Sequence, residues 1–417
     1  MRQEFYAMTK NVYFYYPSRR VGGAQLLFYR CADWLTQVNG LKIFYIDYVD
    51  GYIKSHQENS NIIFVNKSSY KILDNAIIIL PLSLLMTYKK IFDLSAQNKA
   101  RFLFWSIEPY NFTWAFILNG KFILPKIVYK KAGIKIERLS RLGIIRYMDY
   151  HNYHSMYSSF HIKEDPEVNY MPIPFGDDNR FISYHERKND IIDQQVLSFL
   201  WLSRLMNEKI QLIINLFHEL DNLKLGKKIV LHIVGDGDCE ELIRKEALSH
   251  DNFTTIMHGR VLGNELDTLI DSIDIGVAVG TSSLEIAKRF KPVIIGNPSL
   301  YNELGNRMDE THSKEYILLS QEIGFSVSHP GHYISGQLPF EDLCKAIISD
   351  YERKAYECWQ YVKDNHSMES VGNRLLEGIN QCYSVDHIVM KKELESLTQR
   401  LWLPMKVISV LRRCLQH

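Results

Sequence analysis

The sequence predicts an α/β protein with two doubly wound parallel sheets. Short apolar runs rich in Ile, Val and Leu recur along the chain, each ending in a polar or Gly-rich turn. Most of those turns lead into a helix-like stretch, the alternation expected of a parallel sheet with helices on its faces. At 417 residues the chain is too long for one ordinary core, so two domains are expected. Ligands of such sheets bind outside the carboxyl ends of the strands, which directs attention to the turns.

In the first half, NVYFYYP (11–17) reads as the opening strand. The turn Ser18 to Gln25 follows, with Gly22 and Gly23 before the helix-like LLFYRCADWLTQVNG. By itself the Gly-Gly pair is as well explained by a turn before a helix as by a ligand loop. KIFYID (42–47), NIIFV (61–65), AIIIL (76–80) and RFLFW (101–105) read as further strands. Glu108 then lies just past a buried strand end, where a carboxylate would face an interdomain cleft or simply cap the turn before Pro109. IIRYMD (144–149) is the next strand, and the cluster Asp149, His151 and Asn152 at its end is a candidate acceptor-side lining.

Between these strands, 121–146 carries eight basic residues against the single acid Glu137, with apolar residues interleaved. A segment of that kind suits an anionic membrane surface, and equally the solvated face of an ordinary helix. VNYMPIPFGDDNRF (168–181) breaks regular structure with Pro172 and Pro174 and turns at Gly176. The expected division is an N-terminal domain over 1–180, a linker over 181–195 and a C-terminal domain over 196–355.

Four turns of the second half carry candidate chemistry. The strand LSFLWL ends at Arg204 and Lys209, a fixed fork and a compact charge that together suit a diphosphate. KIVLHIV ends at Gly235-Asp236-Gly237, where glycines allow a tight bend and close backbone approach. FTTIM ends at His258-Gly259-Arg260. DIGVAV ends at Gly280-Thr281-Ser282-Ser283, where a helix start favours an anion and Glu285 is placed to accept ribose hydroxyls. IGFSV (323–327) reads as a late strand, and 340–380 as long helices with Leu343, Ile347, Tyr351 and Ala355 at spacings of four.

These turns carry a resemblance. The segment from Arg204 to Lys209 resembles the "GRL-x-x-EKG" motif of GT-B glycosyltransferases of the GT4-like group (glycosyltransferase group 1). HIVGDGD, HGRV and TSSLEIAKRFKPVII resemble that family's later turns in the same order, and Ser18 to Gln25 resembles its opening "GGAE" loop. The resemblance implies two Rossmann-like domains facing a cleft. It implies a nucleotide diphosphate sugar donor, a glycan or lipid-linked acceptor, no metal and no other cofactor. Arg204 and Lys209 would stabilise the leaving diphosphate and Glu285 would hold the ribose. His258 to Arg260 would flank the base. Glu108 is a candidate catalytic residue by its position past a strand end, not by the resemblance. Helices over 356–383 would cross back to the first domain. There is one departure. The family pairs two glutamates eight positions apart, and Val277 occupies the earlier position. The Gly280 to Ser283 loop is then left to meet the sugar end of the donor.

Composition narrows the remaining classes. A net charge of +1 gives no support to nucleic acid as a partner. Six scattered cysteines without a C-x-x-C spacing indicate neither a zinc site nor a disulfide framework. The first residues lack a signal-peptide core, and no run reaches the ~20 apolar residues of a membrane span. A cytoplasmic protein is expected, peripheral on the inner membrane face if 121–146 and the basic amphipathic tail 384–417 touch lipid; the tail serves equally as an oligomer contact. The function expected is sugar transfer in bacterial surface polysaccharide or lipopolysaccharide assembly. A nucleotide-sugar 2-epimerase on the same fold, or a binding or scaffold protein without catalysis, are the alternatives.

Overall fold

The computed structural model describes residues 10–20, 22–56, 59–92, 98–109, 112–118, 121–122, 126–162, 168–175, 195–295, 316–321, 324–325 and 338–415. The chain divides into two compact units, Met1–Gly176 with Met368–His417, and Asp177–Ser367. The expected linker falls almost wholly on 176–194, outside the described residues.

The first unit begins β1 (Lys10–Tyr15), α1 (Gly23–Leu35), β2 (Leu41–Asp47), α2 (Tyr52–Ser55), β3 (Ile63–Asn66), β4 (Ile77–Pro81), α3 (Tyr88–Ile91) and β5 (Arg101–Ser106). It continues with β6 (Ile117–Leu118), β7 (Lys121–Phe122), α4 (Lys126–Arg141), β8 (Ile145–Tyr147) and α5 (Tyr150–Phe160). The second unit holds β9 (Val196–Leu202), α6 (Asn207–Asn222), β10 (Lys228–Val234), α7 (Glu240–Ala247), β11 (Phe253–Gly259) and α8 (Gly263–Ser272). Then come β12 (Ile275–Ala278), α9 (Thr281–Ala287), β13 (Val293–Ile295), β14 (Ile317–Leu318), α10 (Phe340–Ser349) and α11 (Tyr351–His366). The chain returns to the first unit with α12 (Met368–Ser384) and α13 (His387–Leu415).

The first sheet runs β3-β2-β1-β4-β5-β8, every pair parallel. The second runs β11-β10-β9-β12-β13-β14, parallel except for the antiparallel last strand. Each order reverses once, between β1 and β4 and between β9 and β12. Such a reversal opens a crevice beyond the strand ends, because the two helices that follow the flanking strands leave on opposite faces.

Why these runs form central strands is plain from their burial. Residues Val12 to Tyr15 of β1 are all buried, as are Ile77 to Leu80 of β4. Strands covered on both faces need continuous apolar character rather than alternation. The first unit fills its core with rings. Tyr13 stacks on Phe44 at 4.4 Å between centroids, and Phe28 meets Trp105 at 5.5 Å. Tyr45, Tyr129 and Tyr147 are buried with them, so much of the tyrosine content is core.

Three stretches take a form that the sequence left open. The stretch 121–146 holds β7, α4 and the start of β8. Arg146 is 1% exposed under α12, with its guanidinium donating to Gln381 Oε1. Tyr129, Ala132, Ile136 and Leu139 of α4 are buried as well, since a helix lying on a sheet must turn one stripe inward. Second, 384–417 is not an appendage. Met390, Leu394, Leu397, Leu401 and Ile408 of α13 belong to the first unit's core. Glu393 of α13, itself buried, pairs with Lys135 at 2.8 Å and Arg138 at 3.0 Å on α4. Third, the last strand of the second sheet is Ile317–Leu318; Gly324 and Phe325 form a bend, and the rest of the expected 323–327 strand lies outside the described residues.

Candidate functional site

The carboxyl edge of the second sheet is one interlocked surface. Gly235 and Gly237 have φ of +145° and +150°, values that side chains rarely tolerate. Space excludes a side chain too. A Cβ on Gly235 would lie 1.8 Å from Ser203 O, and one on Gly237 2.4 Å from Leu205 O. The turns after β9 and β10 therefore touch backbone to backbone. Leu205 N donates to Asp236 O at 2.9 Å, Cys239 N to Leu205 O at 3.0 Å, and Gly235 N to Gly259 O at 2.8 Å. Those bonds tie the turns after β9, β10 and β11 together, and with them the positions of Arg204, Asp236 and His258.

On this edge Arg204 is exposed. Lys209 is half-buried in the first turn of α6, with Nζ donating to Ser203 Oγ at 2.6 Å. The side chain of Glu208 lies outside the described residues. Asp236 and Arg260 are exposed and His258 is half-buried. His258 Nε2 lies 2.9 Å from Nδ1 of His232 on β10, and the two rings stack. Burial lowers the pKa of His258; burial and then the neighbouring His258 lower that of His232. Both effects disfavour the charged form.

Across the reversal, only Val279 and Gly280 separate β12 from α9. Gly280 makes the turn with φ +70°. Ser283 is fully buried, and its hydroxyl donates to Gly280 O at 2.6 Å. Thr281 is exposed and Ser282 half-buried. Glu285 is half-buried and paired with Lys288, whose side chain is fully buried. The position eight before Glu285 also becomes clear. Val277 is 2% exposed inside β12. A carboxylate there would be buried in the sheet, so the second acid has no place on so short a turn.

The first unit's candidates lie on its own carboxyl edge or behind it. Gly22 caps α1 and Gly23 opens it. Glu108 is exposed two residues past β5, near enough to Tyr16 to contribute, after burial, to a raised tyrosine pKa. Two of the expected acceptor-side residues are buried and bonded within the fold. Asp149 is 4% exposed and caps α5 by accepting from Asn152 N at 2.7 Å. Asn152 is fully buried, donating to Asp149 and accepting from Ser106 Oγ at 3.0 Å. The fold uses both, because a buried polar group needs its partners; His151 is half-buried beside them. Three residues were not singled out from sequence: His232, Lys288 and Asp47. The i, i+3 spacing of Glu285 and Lys288 was a signal for one of them.

Among the described residues no group of three or more His, Cys, Asp or Glu is placed to hold a metal ion. Nor is any helix among them long and apolar enough to cross a membrane.

Two doubly wound units in one chain, each with its ligand edge at the strand ends, are the GT-B architecture. No protein-family model and no curated protein matches the chain. Solved structures do. A glycosyltransferase from Rickettsia africae matches with TM-score 0.55 at 14% identity, over 91% of this chain and 100% of that one. Anabaena Alr3699/HepE, solved in complex with UDP, matches with TM-score 0.51 at 11% identity, over 89% and 99%. The lipopolysaccharide outer core galactosyltransferase WaaB matches with TM-score 0.50 at 11% identity, over 89% and 99%. At such identities the likeness is one of fold, and the fold is that of GT-B glycosyltransferases.

Proposed function

We propose that the protein is a glycosyltransferase that takes its sugar from a nucleotide diphosphate donor held on the second unit. The observation that carries this is the glycine-locked edge, which keeps Arg204 and Lys209 beside backbone turns of fixed position. Charge builds on the departing diphosphate as the sugar leaves. A preorganised pair of cations stabilises it without reorganisation cost at that moment. In this reading these cations do the work without a metal. Glu285 accepts the ribose hydroxyls, His258 to Arg260 flank the base, and the turn at Gly280 to Ser282 meets the sugar end. Alr3699/HepE has been solved with UDP and glucose and with UDP-glucose, which favours a uridine nucleotide as the first ligand to try.

The acceptor belongs to the first unit, near Gly22, Gly23 and Glu108, and is a glycan or a lipid-linked saccharide of surface polysaccharide assembly. Peripheral attachment to the inner face of the membrane goes with it. Support comes from two exposed stripes. On α4 these are Ile127, Lys130, Lys131 and Ile134; on α13 they are Trp402, Leu403, Lys406, Val410 and Arg413. No acid follows Glu395 in the chain. Apolar side chains with interleaved cations suit an anionic leaflet, and an amphipathic Trp suits its interface.

The test is thermal unfolding with nucleoside diphosphates and their sugars. A ligand at 100 times its Kd stabilises the fold by about 2.7 kcal/mol. UDP and a UDP-sugar are expected to raise the Tm, and a screen in which no nucleotide does so removes the reading. Membrane attachment is tested apart. Replacing Lys130, Lys131, Lys406 and Arg413 by Gln should lower co-sedimentation with anionic vesicles at low salt, and equal sedimentation dismisses these stripes.

A further inference from the structure

The carboxyl edge of the first sheet holds a charged surface that the reading above does not use. Past the ends of β1, β2 and β3 lie Arg19 and Arg20 in a turn, Lys54 in α2, and Lys67 in a turn. A buried acid draws the first two turns together. Asp47, the last residue of β2, is 1% exposed. Its Oδ1 accepts from Ser18 N at 2.9 Å and Tyr48 N at 2.8 Å, and its Oδ2 from Lys54 N at 3.4 Å. Ser18 O in turn accepts from Tyr52 N at 2.9 Å. A Cβ on Gly51 would lie 2.2 Å from the Asp47 carboxylate, so this turn closes only around glycine.

The clamp gathers cations on one aromatic ring. Arg19 Cζ lies 4.2 Å from the Tyr48 ring centroid and Lys67 Nζ 4.4 Å from the same centroid. Lys67 Nζ also donates to the Tyr48 hydroxyl at 2.6 Å. Lys54 and Arg20 are exposed nearby in sequence. Among the described residues of these turns the acid besides Asp47 is Asp50. It pairs with Arg19 at 2.7 Å, and the two side chains are 60% and 65% exposed. An ion pair that open to water is weak, so an incoming dianion can take its place on the guanidinium.

We propose that this edge binds the phosphoryl group of an anionic acceptor, with Arg19 and Lys67 as its principal cations. Arginine's planar fork matches phosphate oxygens in pairs, and the ammonium adds a compact charge. The strand ends are where an open α/β sheet takes its ligand. The assignment to an acceptor rests on the second unit holding the donor; the anion site itself does not.

The experiment is calorimetry of inorganic pyrophosphate on the full chain saturated with UDP, so that the diphosphate site of the second unit is filled. The parent is expected to bind. Arg19→Gln with Lys67→Gln should weaken that binding at least tenfold and leave UDP affinity and Tm unchanged. Asp50→Asn, which releases Arg19, should tighten it. Equal binding by parent and double variant overturns the proposal. So does pyrophosphate binding that UDP abolishes, since it places the anion on the second unit. If UDP fails to bind at all while pyrophosphate binding persists and depends on Arg19 and Lys67, the donor reading fails and the anion site stands. Two further probes distinguish the phosphate's source. Uptake onto phosphatidylcholine vesicles doped with a polyisoprenyl diphosphate assigns it to a lipid. Competition by a soluble hexose phosphate without such uptake assigns it to a glycan.

Discussion

The two sheets share a topology but build their carboxyl edges differently. On the second, backbone meets backbone: Gly235 and Gly237 let the turns after β9 and β10 touch, and hydrogen bonds extend the lock to β11. On the first, side chains do the organising, through the buried Asp47 and through Tyr48, whose ring lies near both Arg19 and Lys67. A backbone surface has few ways to vary, which suits a ligand part of constant shape such as a diphosphate. A side-chain surface changes with each substitution, which suits a ligand that differs between enzymes.

The largest expected effect tests that contrast through glycine. Gly235→Ala puts a Cβ against Ser203 O, with the φ of +145° adding strain. The backbone conformation alone costs on the order of 1–3 kcal/mol, and the clash comes on top. Tm and UDP binding should fall together. At Gly23 a Cβ meets nothing within 4 Å. Gly23→Ala should be neutral or stabilise by up to about 1 kcal/mol. Equal losses at the two sites in thermal unfolding would show that the two edges do not differ in this way.

Next comes the leaving group. Lys209→Ala should lower turnover by roughly 10²–10³-fold, the range for losing one preorganised charge-stabilising donor. Steady-state rates with a UDP-sugar check it, and near-normal turnover takes Lys209 out of the chemistry.

Glu285→Gln should weaken UDP itself, because charge-assisted bonds to hydroxyls are the stronger kind. It also strips the buried Lys288 of a paired charge, so some loss of stability is expected with it. Glu285→Gln with Lys288→Met should recover that stability without recovering affinity. Calorimetry on both variants separates the two effects, and unchanged UDP affinity in the single variant withdraws the ribose role.

The smallest effect is one of pH. His232 and His258 have folded pKa values below the ordinary 6.5. Between the folded and unfolded values the unfolded chain binds more protons, so stability falls as pH falls. Their contribution is complete above about pH 6.5 and is lost on acidification through the lowered values. His258→Gln should flatten the acid side of a Tm profile, and a profile identical to the parent's would show that the pair does not report there.

Local order determined much of this in advance. The runs at 42–47, 76–80 and 101–105 read as strands because a sheet covered on both faces demands unbroken apolar character, and that demand is written residue by residue. The Gly235-Asp236-Gly237 turn was legible for a similar reason: glycine is the residue that tolerates such φ. Tertiary structure decided what depends on which distant residues meet. One face of α13 finds α4 and the first core while the other stays exposed, and Arg146 ends under α12 rather than in water. Asp149 and Asn152 look like site residues in the sequence and are spent on a helix cap. His232 was silent because its partner His258 lies on the neighbouring strand. Asp47 was silent because the backbone N–H groups that it binds come from two turns and a helix that only the folded sheet brings together. A side chain's type is local, but its partners are set by the whole chain's burial of apolar surface, and polar roles follow from who is left beside whom.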